Sequence, residues 1–203
     1  MSMSKEVIII GASGHGKVIA DIIEKSGDKV IGFLDDDLTK KGVIGPVCDC
    51  VKYKEKQFII GIGNIEIRKR IADEYPELSY YTAVHPAAVI SSDASIAEGT
   101  AVMANAVINA SAVIGKHSII NTASVVEHDN RVGDFVHISP GAVLCGGVNV
   151  GNNTQIGAGS VVRNNMTICQ NVLVGCGACV VKDITENGTY IGVPAKKQRN
   201  TEE

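Results

Sequence analysis

From Val84 to Val180 an aliphatic residue returns at every sixth position: Val84, Ile90, Ile96, Val102, Ile108, Ile114, Ile120, Val126, Val132, Ile138, Leu144, Val150, Ile156, Val162, Ile168, Val174 and Val180. Neither a 3.6-residue helical period nor strand alternation produces this spacing. Four places after each aliphatic residue the side chain is usually small, as at Ala88, Ala94, Ala106, Ala112, Ser118, Ser124, Ala142, Ser160 and Ala178. One place earlier stand Asp93, Gly99, Asn105, Asp129, Gly141, Gly147, Asn153, Gly159, Asn165, Asn171, Gly177 and Asp183. Gly, Asn and Asp tolerate a positive φ, so the pattern predicts a tight corner every six residues. Three hexads then close one triangular coil, and stacked coils pair as parallel strands about 4.8 Å apart. The prediction for 84–185 is a left-handed parallel β-helix built from hexapeptide repeats, an exception to right-handed crossover connections. No insertion breaks the frame, so no long loop projects from it.

A different pattern precedes it. Glu6–Ile10 is a short apolar run that ends at Gly11-Ala12-Ser13-Gly14-His15-Gly16, and Lys17–Lys25 carries Val18, Ile19, Ile22 and Ile23 at helical spacing. Strand, glycine-rich turn and helix open a nucleotide-binding βαβ unit, with free N–H groups at the helix start able to hold phosphate. The spacing G-x-x-G-x-G differs from the dinucleotide form, and a plain strand-to-helix turn would look the same. Val30–Leu34 reads as a second strand ending in Asp35-Asp36-Asp37, where an acidic side chain meets ribose or base hydroxyls in such sheets. Gln57–Ile62 reads as a third, ending in a second glycine loop, Gly61-Ile62-Gly63-Asn64. Ile65–Ala72 follows as a helix with Arg68, Lys69 and Arg70 partly on its exposed side. Tyr80–Val84 is a last strand leading into the coils. The chain thus divides into an α/β, Rossmann-like domain at 1–83, the β-helix at 84–185 and a polar tail at 186–203. One domain of this size lacks the two halves that bind NAD, and its two loops suit a small phosphorylated ligand.

Charge and composition narrow the partners. A formal net charge of -3 over 203 residues offers no electrostatic reason to expect nucleic acid or an anionic membrane. The N-terminal MSMSKEVIIIG lacks a signal-peptide pattern, and no apolar run reaches membrane-spanning length, which points to the cytoplasm. Six cysteines do not make a disulfide framework here. Cys176-Gly-Ala-Cys179 matches C-x-x-C, but the hexad frame runs straight through it, and small residues filling repeat positions are the preferred reading.

Among five histidines, His128 stands apart, with Glu127 before it and Asp129 after it at a corner where Asn130 interrupts the small column. A histidine that removes a proton needs a pKa near working pH, and an adjacent carboxylate raises its basicity and sets its tautomer. Neighbouring residues on a strand point to opposite faces, so the pair can meet only if the backbone turns at Asp129. A surface histidine in a polar corner is the bland alternative. Three-histidine zinc, as in carbonic anhydrases of the gamma class on this same helix, is not indicated by the intervals His117 to His128 to His137. No metal is expected.

GASGHGKV, FLDDD, IGIGNIEIRKR, the hexapeptide run, INTASVVEHDNRVGDFVHISPGA and YIGVPAK occur in this order over nearly the whole chain. Together they resemble the sugar acyltransferases of the sialic-acid O-acetyltransferase and bacillosamine-pathway N-acetyltransferase group. The resemblance implies transfer of an acetyl group from acetyl-CoA to a nucleotide-activated amino sugar in glycan biosynthesis. In the bacillosamine branch the acceptor is the 4-amino group of a UDP-linked 4-amino-4,6-dideoxy sugar. By motif, Ser13, Gly14 and His15 would contact the nucleotide-sugar phosphates, Asp35 and Asp36 the nucleoside, and Gly63 the same ligand. His128 matches the family's base, and Asp129 stands where glutamate is frequent. Gly146 matches the N–H that steadies the oxyanion. His137, Ala158 and Cys176 match positions lining the acetyl-CoA site, which in this family lies between adjacent subunits of a homotrimer.

The implied chemistry is direct attack in a ternary complex, with His128 taking the proton and the Gly146 N–H holding the oxyanion. None of the cysteines matches a family nucleophile. O-acetylation of sialic or another nonulosonic acid and N-acetylation of a GDP-linked amino sugar are the alternatives within the class. A zinc hydratase and a non-catalytic sugar-binding subunit are those outside it.

Overall fold

The computed structural model describes residues 4–198. Residues 1–3 of the N-terminal run and 199–203 of the tail lie outside the described residues. The N-terminal part contains β1 (Glu6–Ile10), α1 (Gly14–Lys25), β2 (Lys29–Leu34), β3 (Val43–Gly45), β4 (Gln57–Ile60) and α2 (Ile65–Glu74), with a 3-10 helix at Val47–Tyr53. The sheet order is β3-β2-β1-β4, all parallel. β3 was not foreseen: three residues are too few to register as a period. The strand expected over Gln57–Ile62 ends at Ile60, because the chain leaves the sheet for the second glycine loop.

The central strand β1 is almost wholly buried, since both faces of a parallel sheet are covered. Val7 and Ile9 point to one side, where they pack with Ile19, Ile22 and Ile23 of α1. Ile8 and Ile10 point to the other, where they meet Phe58, Ile60 and Ile71. Tyr80 bridges to Phe58 beside β4, and the chain then enters the coils at Ala83–Val84.

The remainder is the left-handed parallel β-helix. Strands pair with partners 18 residues away, as in Val113↔Arg131 and Ile119↔His137, so three hexads do close one coil. Three flat walls result. The first contains Ala83–Val84, Ala101–Val102, Ile119–Ile120, His137–Ile138, Gln155–Ile156 and Val172–Val174. The second contains Val89–Ile90, Val107–Ile108, Val125–Val126, Val143–Leu144, Val161–Val162 and Cys179–Val180. The third contains Ser95–Ile96, Val113–Ile114, Arg131–Val132, Asn149–Val150 and Thr167–Ile168. From Val102 to Val180 every aliphatic residue of the frame is buried, each worth roughly 1.5 to 3 kcal/mol before conformational entropy is set against it.

Corners recur every six residues from Gly99 to Gly177, all with positive φ. Ser111, His117, Ala123 and Phe135 hold this conformation without being Gly, Asn or Asp. Asp93 and Asp183, expected in the same column, do not adopt it: they lie at the two ends, where no complete coil imposes the corner. In the small column the polar members are satisfied by the main chain, Thr100 Oγ1 donating to Gly115 O at 2.8 Å and Ser118 Oγ to Gly133 O at 2.9 Å.

The N-terminal domain sits on the first wall. Ala83, Ala101, Met103 and Ile119 join the α1 residues in one core, so α1 is held between its own sheet and the helix. In the tail, Gly188–Ile191 pairs in parallel with Val172–Val174 and extends the first wall, and Lys196–Lys197 folds back antiparallel to it. Among the described residues no helix is long and apolar enough to cross a membrane.

Candidate active site

His128 lies at the corner joining the second wall to the third. Asp129 turns the chain with φ of 60°, and this brings its Oδ2 to 2.7 Å from His128 Nδ1. The shorter carboxylate therefore reaches. Asn130 is fully buried and ties the corner to the next coil, donating from Nδ2 to Leu144 O and accepting at Oδ1 from Val148 N–H. The polar interruption in the small column is thus a rivet beneath the histidine. The Asp129 carboxylate raises the His128 pKa above its ordinary value, with Glu127 adding to the effect.

One coil further on lies Gly146. A Cβ placed there would stand 2.6 Å from both Cε1 and Nε2 of His128, so the imidazole rests directly on the glycine backbone. Gly146 O accepts from Asn165 N–H, while its own N–H has no acceptor among the described residues. A base and a free main-chain donor adjoin, which is what attack on a carbonyl requires.

The glycine loops lie elsewhere. Ser13 is the N-cap of α1 but makes no side-chain cap bond; its hydroxyl is 3.2 Å from Lys40 Nζ. Lys40 is 2.9 Å from each Asp35 oxygen, and the N–H groups of Ala12 and Asp37 donate to the same carboxylate. Burial opposes its charge, but these donors and the ammonium hold Asp35 below the usual carboxylate range. Asp35 thereby fixes the first glycine loop. Gly16 permits the tight approach, since a Cβ there would stand 2.0 Å from Gly11 O. Asp35 and Asp36 line a cavity of about 290 Å³ with Gly11, Ile62, Ile67, Arg70, Glu74 and Tyr75. Gly63, at the mouth of the second loop, has open space where a side chain would be.

His15 and His137 lie where α1 meets the first wall. Burial first, and then the charge of Arg68, lowers each pKa to about 4, so both are neutral at pH 7. Asn121 Nδ2 is 3.0 Å from His137 Nε2, and His15 Nε2 is buried without a partner among the described residues. Asn121 escaped sequence reading because only the pairing of successive coils, Ile119 beside His137, brings it to the histidine. Arg68, expected partly on the exposed side of its helix, is buried, at 1 % exposure. Helical spacing alone put it with Lys69 and Arg70, but α2 turns it toward the coils. Lys40 also escaped, having no motif of its own.

Ala158 and Cys176 occupy the corner between the first and second walls, one coil apart, with no acceptor for either N–H among the described residues. Cys176 is exposed, and all six cysteines are free.

Within one chain these groups do not converge. His15 on α1 and His137 lie on the side of the first wall, whereas His128, Asp129 and Gly146 occupy the opposite vertex of the triangle. His117 lies apart from both, its ring stacked on Phe135 at 5.2 Å.

Comparison with known proteins shows what this arrangement is similar to. Residues 6–75 match the family model for the PglD N-terminal domain, and 131–164 that for the bacterial transferase hexapeptide (six repeats). The solved acetyltransferase domain of PglB from Neisseria gonorrhoeae FA1090 is 35% identical, covering 96% of this chain and 100% of that one, with a TM-score of 0.91. The chain belongs to the hexapeptide-repeat amino-sugar acetyltransferases. Another member, PerB from Caulobacter crescentus, solved in complex with CoA and GDP-perosamine, is 35% identical over 98% of this chain and 99% of that one, with a TM-score of 0.92. The UDP-N-acetylbacillosamine N-acetyltransferase of Bacillus subtilis (strain 168) is 37% identical over 108 residues, 47% of this chain. The chain spans about half the length of that curated relative, 50% of it being matched.

Proposed function

We propose that the protein transfers an acetyl group from acetyl-CoA to the 4-amino group of a UDP-linked 4-amino-4,6-dideoxy sugar. The observation that supports this most directly is the His128–Asp129 pair lying on the Gly146 backbone. The neutral amine attacks the thioester carbonyl while His128 Nε2 takes its proton, and Asp129 stabilises the imidazolium at Nδ1. The Gly146 N–H holds the tetrahedral oxyanion. Collapse breaks the C–S bond, and the departing sulfur takes the proton from His128, leaving the amide and CoA. No acyl-enzyme forms.

The nucleotide sugar would lie on the N-terminal domain, its base in the cavity beside Asp36 and its diphosphate at Ser13, Gly14 and His15. Lys40 supplies a positive charge there. Acetyl-CoA would run along the Ala158 and Cys176 corner toward His137. That the two groups of residues occupy opposite sides of the triangle supports the reading that the complete site forms between subunits of a homotrimer. The second wall fits such a contact: Val89, Val107, Val125, Val143 and Val161 form its outward stripe, Val89 being 63% exposed. His128 lies along one edge of that wall and Cys176 along the other, so packing of second walls would draw a vertex of one copy toward the first wall of the next. The cytoplasm, which supplies both co-substrates, is the proposed location.

A GDP-linked amino sugar is the second reading, favoured by the full-length likeness to the perosamine enzyme. Incubation with acetyl-CoA and a panel of UDP-, GDP- and CMP-linked sugars, following free thiol, separates the readings. Turnover of UDP-linked 4-amino sugars in preference to the rest is expected. Preference for a GDP-linked amine would move the assignment to the second reading, and turnover only with a nonulosonic acid would overturn both.

A further inference from the structure

Arg68 is buried at 1 % exposure, yet among the described residues it has no ion-pair partner. All its bonds go to main-chain carbonyls. Nε donates to His117 O at 2.8 Å and Nη2 to Phe135 O at 3.1 Å, while Nη1 is shared between Ile62 O at 2.9 Å and Gly63 O at 3.0 Å. His117 and Phe135 are corners of successive coils, with φ of 52° and 58°. The guanidinium therefore joins the second glycine loop of the N-terminal domain to two coils of the β-helix.

A buried cation without a carboxylate is costly to keep, and an apolar side chain could fill the space at less expense. The planar fork satisfies four acceptors from three segments at once, which a lysine cannot do. The position also matters. Ile62, beside Gly63 in the same loop, lines the cavity proposed for the nucleotide sugar, and the strand bearing His137 starts two residues beyond Phe135.

We infer that Arg68 is a positioning residue for acetyl transfer, setting the glycine loop that faces the nucleotide sugar at a fixed distance from the wall that carries His137. This rests on the function proposed above. A shift of about 1 Å between sugar and acyl carbon is enough to cost on the order of a hundredfold in rate. The charge has a second effect. At both His15 and His137 the Arg68 charge favours the neutral imidazole that burial already imposes.

The test compares Arg68→Met and Arg68→Lys with the wild type in four measurements: melting temperature, CoA affinity by calorimetry, KM and kcat for the nucleotide sugar that the wild type acetylates, and titration of the His15 and His137 ring protons by NMR. For folded Arg68→Met we expect CoA affinity within about twofold of wild type, nucleotide-sugar KM raised about tenfold or more, kcat lowered on the order of ten- to a hundredfold, and both histidines titrating at higher pH. Arg68→Lys should restore the titration and only part of the kinetics. Unchanged KM and kcat in a folded variant, or equal losses in sugar and CoA binding, would overturn the inference. If neither variant folds, Arg68 is an anchor of the fold and the inference fails. If the wild type acetylates no nucleotide sugar, the proposed function fails instead, and unshifted histidine titrations would then also dispose of the role given to Arg68.

Discussion

At the scale of residues, the chemistry proposed above is concentrated at one corner. The His128 pKa is raised, whereas those of His15, His117 and His137 are lowered. His128→Ala should lower kcat by about a hundredfold or more, that being the usual contribution of a positioned base. Asp129→Asn keeps a residue that tolerates positive φ and removes the charge. Because the carboxylate raises the His128 pKa, the acidic limb of the rate profile should move to lower pH in this variant while the plateau falls. A limb that stays in place would show that His128 is not the titrating base. Gly146→Ala tests the other half of the site. Its φ is not positive, so little stability is lost, but the new methyl would strike Cε1 and Nε2 of the imidazole. Loss of kcat on the order of a hundredfold at a nearly unchanged melting temperature is expected; retained activity would mean that the ring does not work from this position.

The corner column is the informative element. Fourteen corners in register would be met most easily by Gly, Asn or Asp, and most are. Of the four exceptions, His117 and Phe135 face the N-terminal domain, where Tyr80 meets the His117 ring edge-on at 4.5 Å and Arg68 takes both carbonyls. These two departures from the repeat mark the place where the N-terminal domain docks. Ala123 has no such compensation: an alanine held at φ of 54° costs about 1 to 2 kcal/mol, whereas glycine gives back only part of that through its extra freedom when unfolded. Ala123→Gly should leave the fold intact and raise the melting temperature by roughly 1 to 3 °C. A lower melting temperature would show that the alanine methyl makes contacts worth more than the backbone cost.

For the whole molecule, the join between domains imposes a pH dependence. His15, His117 and His137 each have a folded pKa of about 4, against an unfolded value near 6.5. The unfolded chain binds more protons between those limits, so stability is complete above about pH 6.5 and is lost as pH falls toward 4. Exposed His128, with its raised pKa, works the other way, one residue against three. Melting temperature should fall between pH 7 and pH 5. A flat or rising profile would mean that these histidines are hydrated in solution.

The β-helix was legible in the sequence because its period is local: each residue meets the same position one coil away, and a six-residue frame records that directly. The glycine loops and the His128–Asp129 pair were legible for a similar reason, since the turn that joins them lies within a few residues. How distant stretches meet was settled by folding alone. Arg68 looked like one of three surface cations, and its burial depends on the wall that α2 faces. Lys40 reaches Ser13 across 27 residues, Asn121 reaches His137 through the stacking of coils, and the separation of His128 from His15 follows from the triangular section. A local pattern specifies an element when its neighbours are repeats of itself; where two unlike elements dock, the contacts depend on both surfaces and leave no period to read.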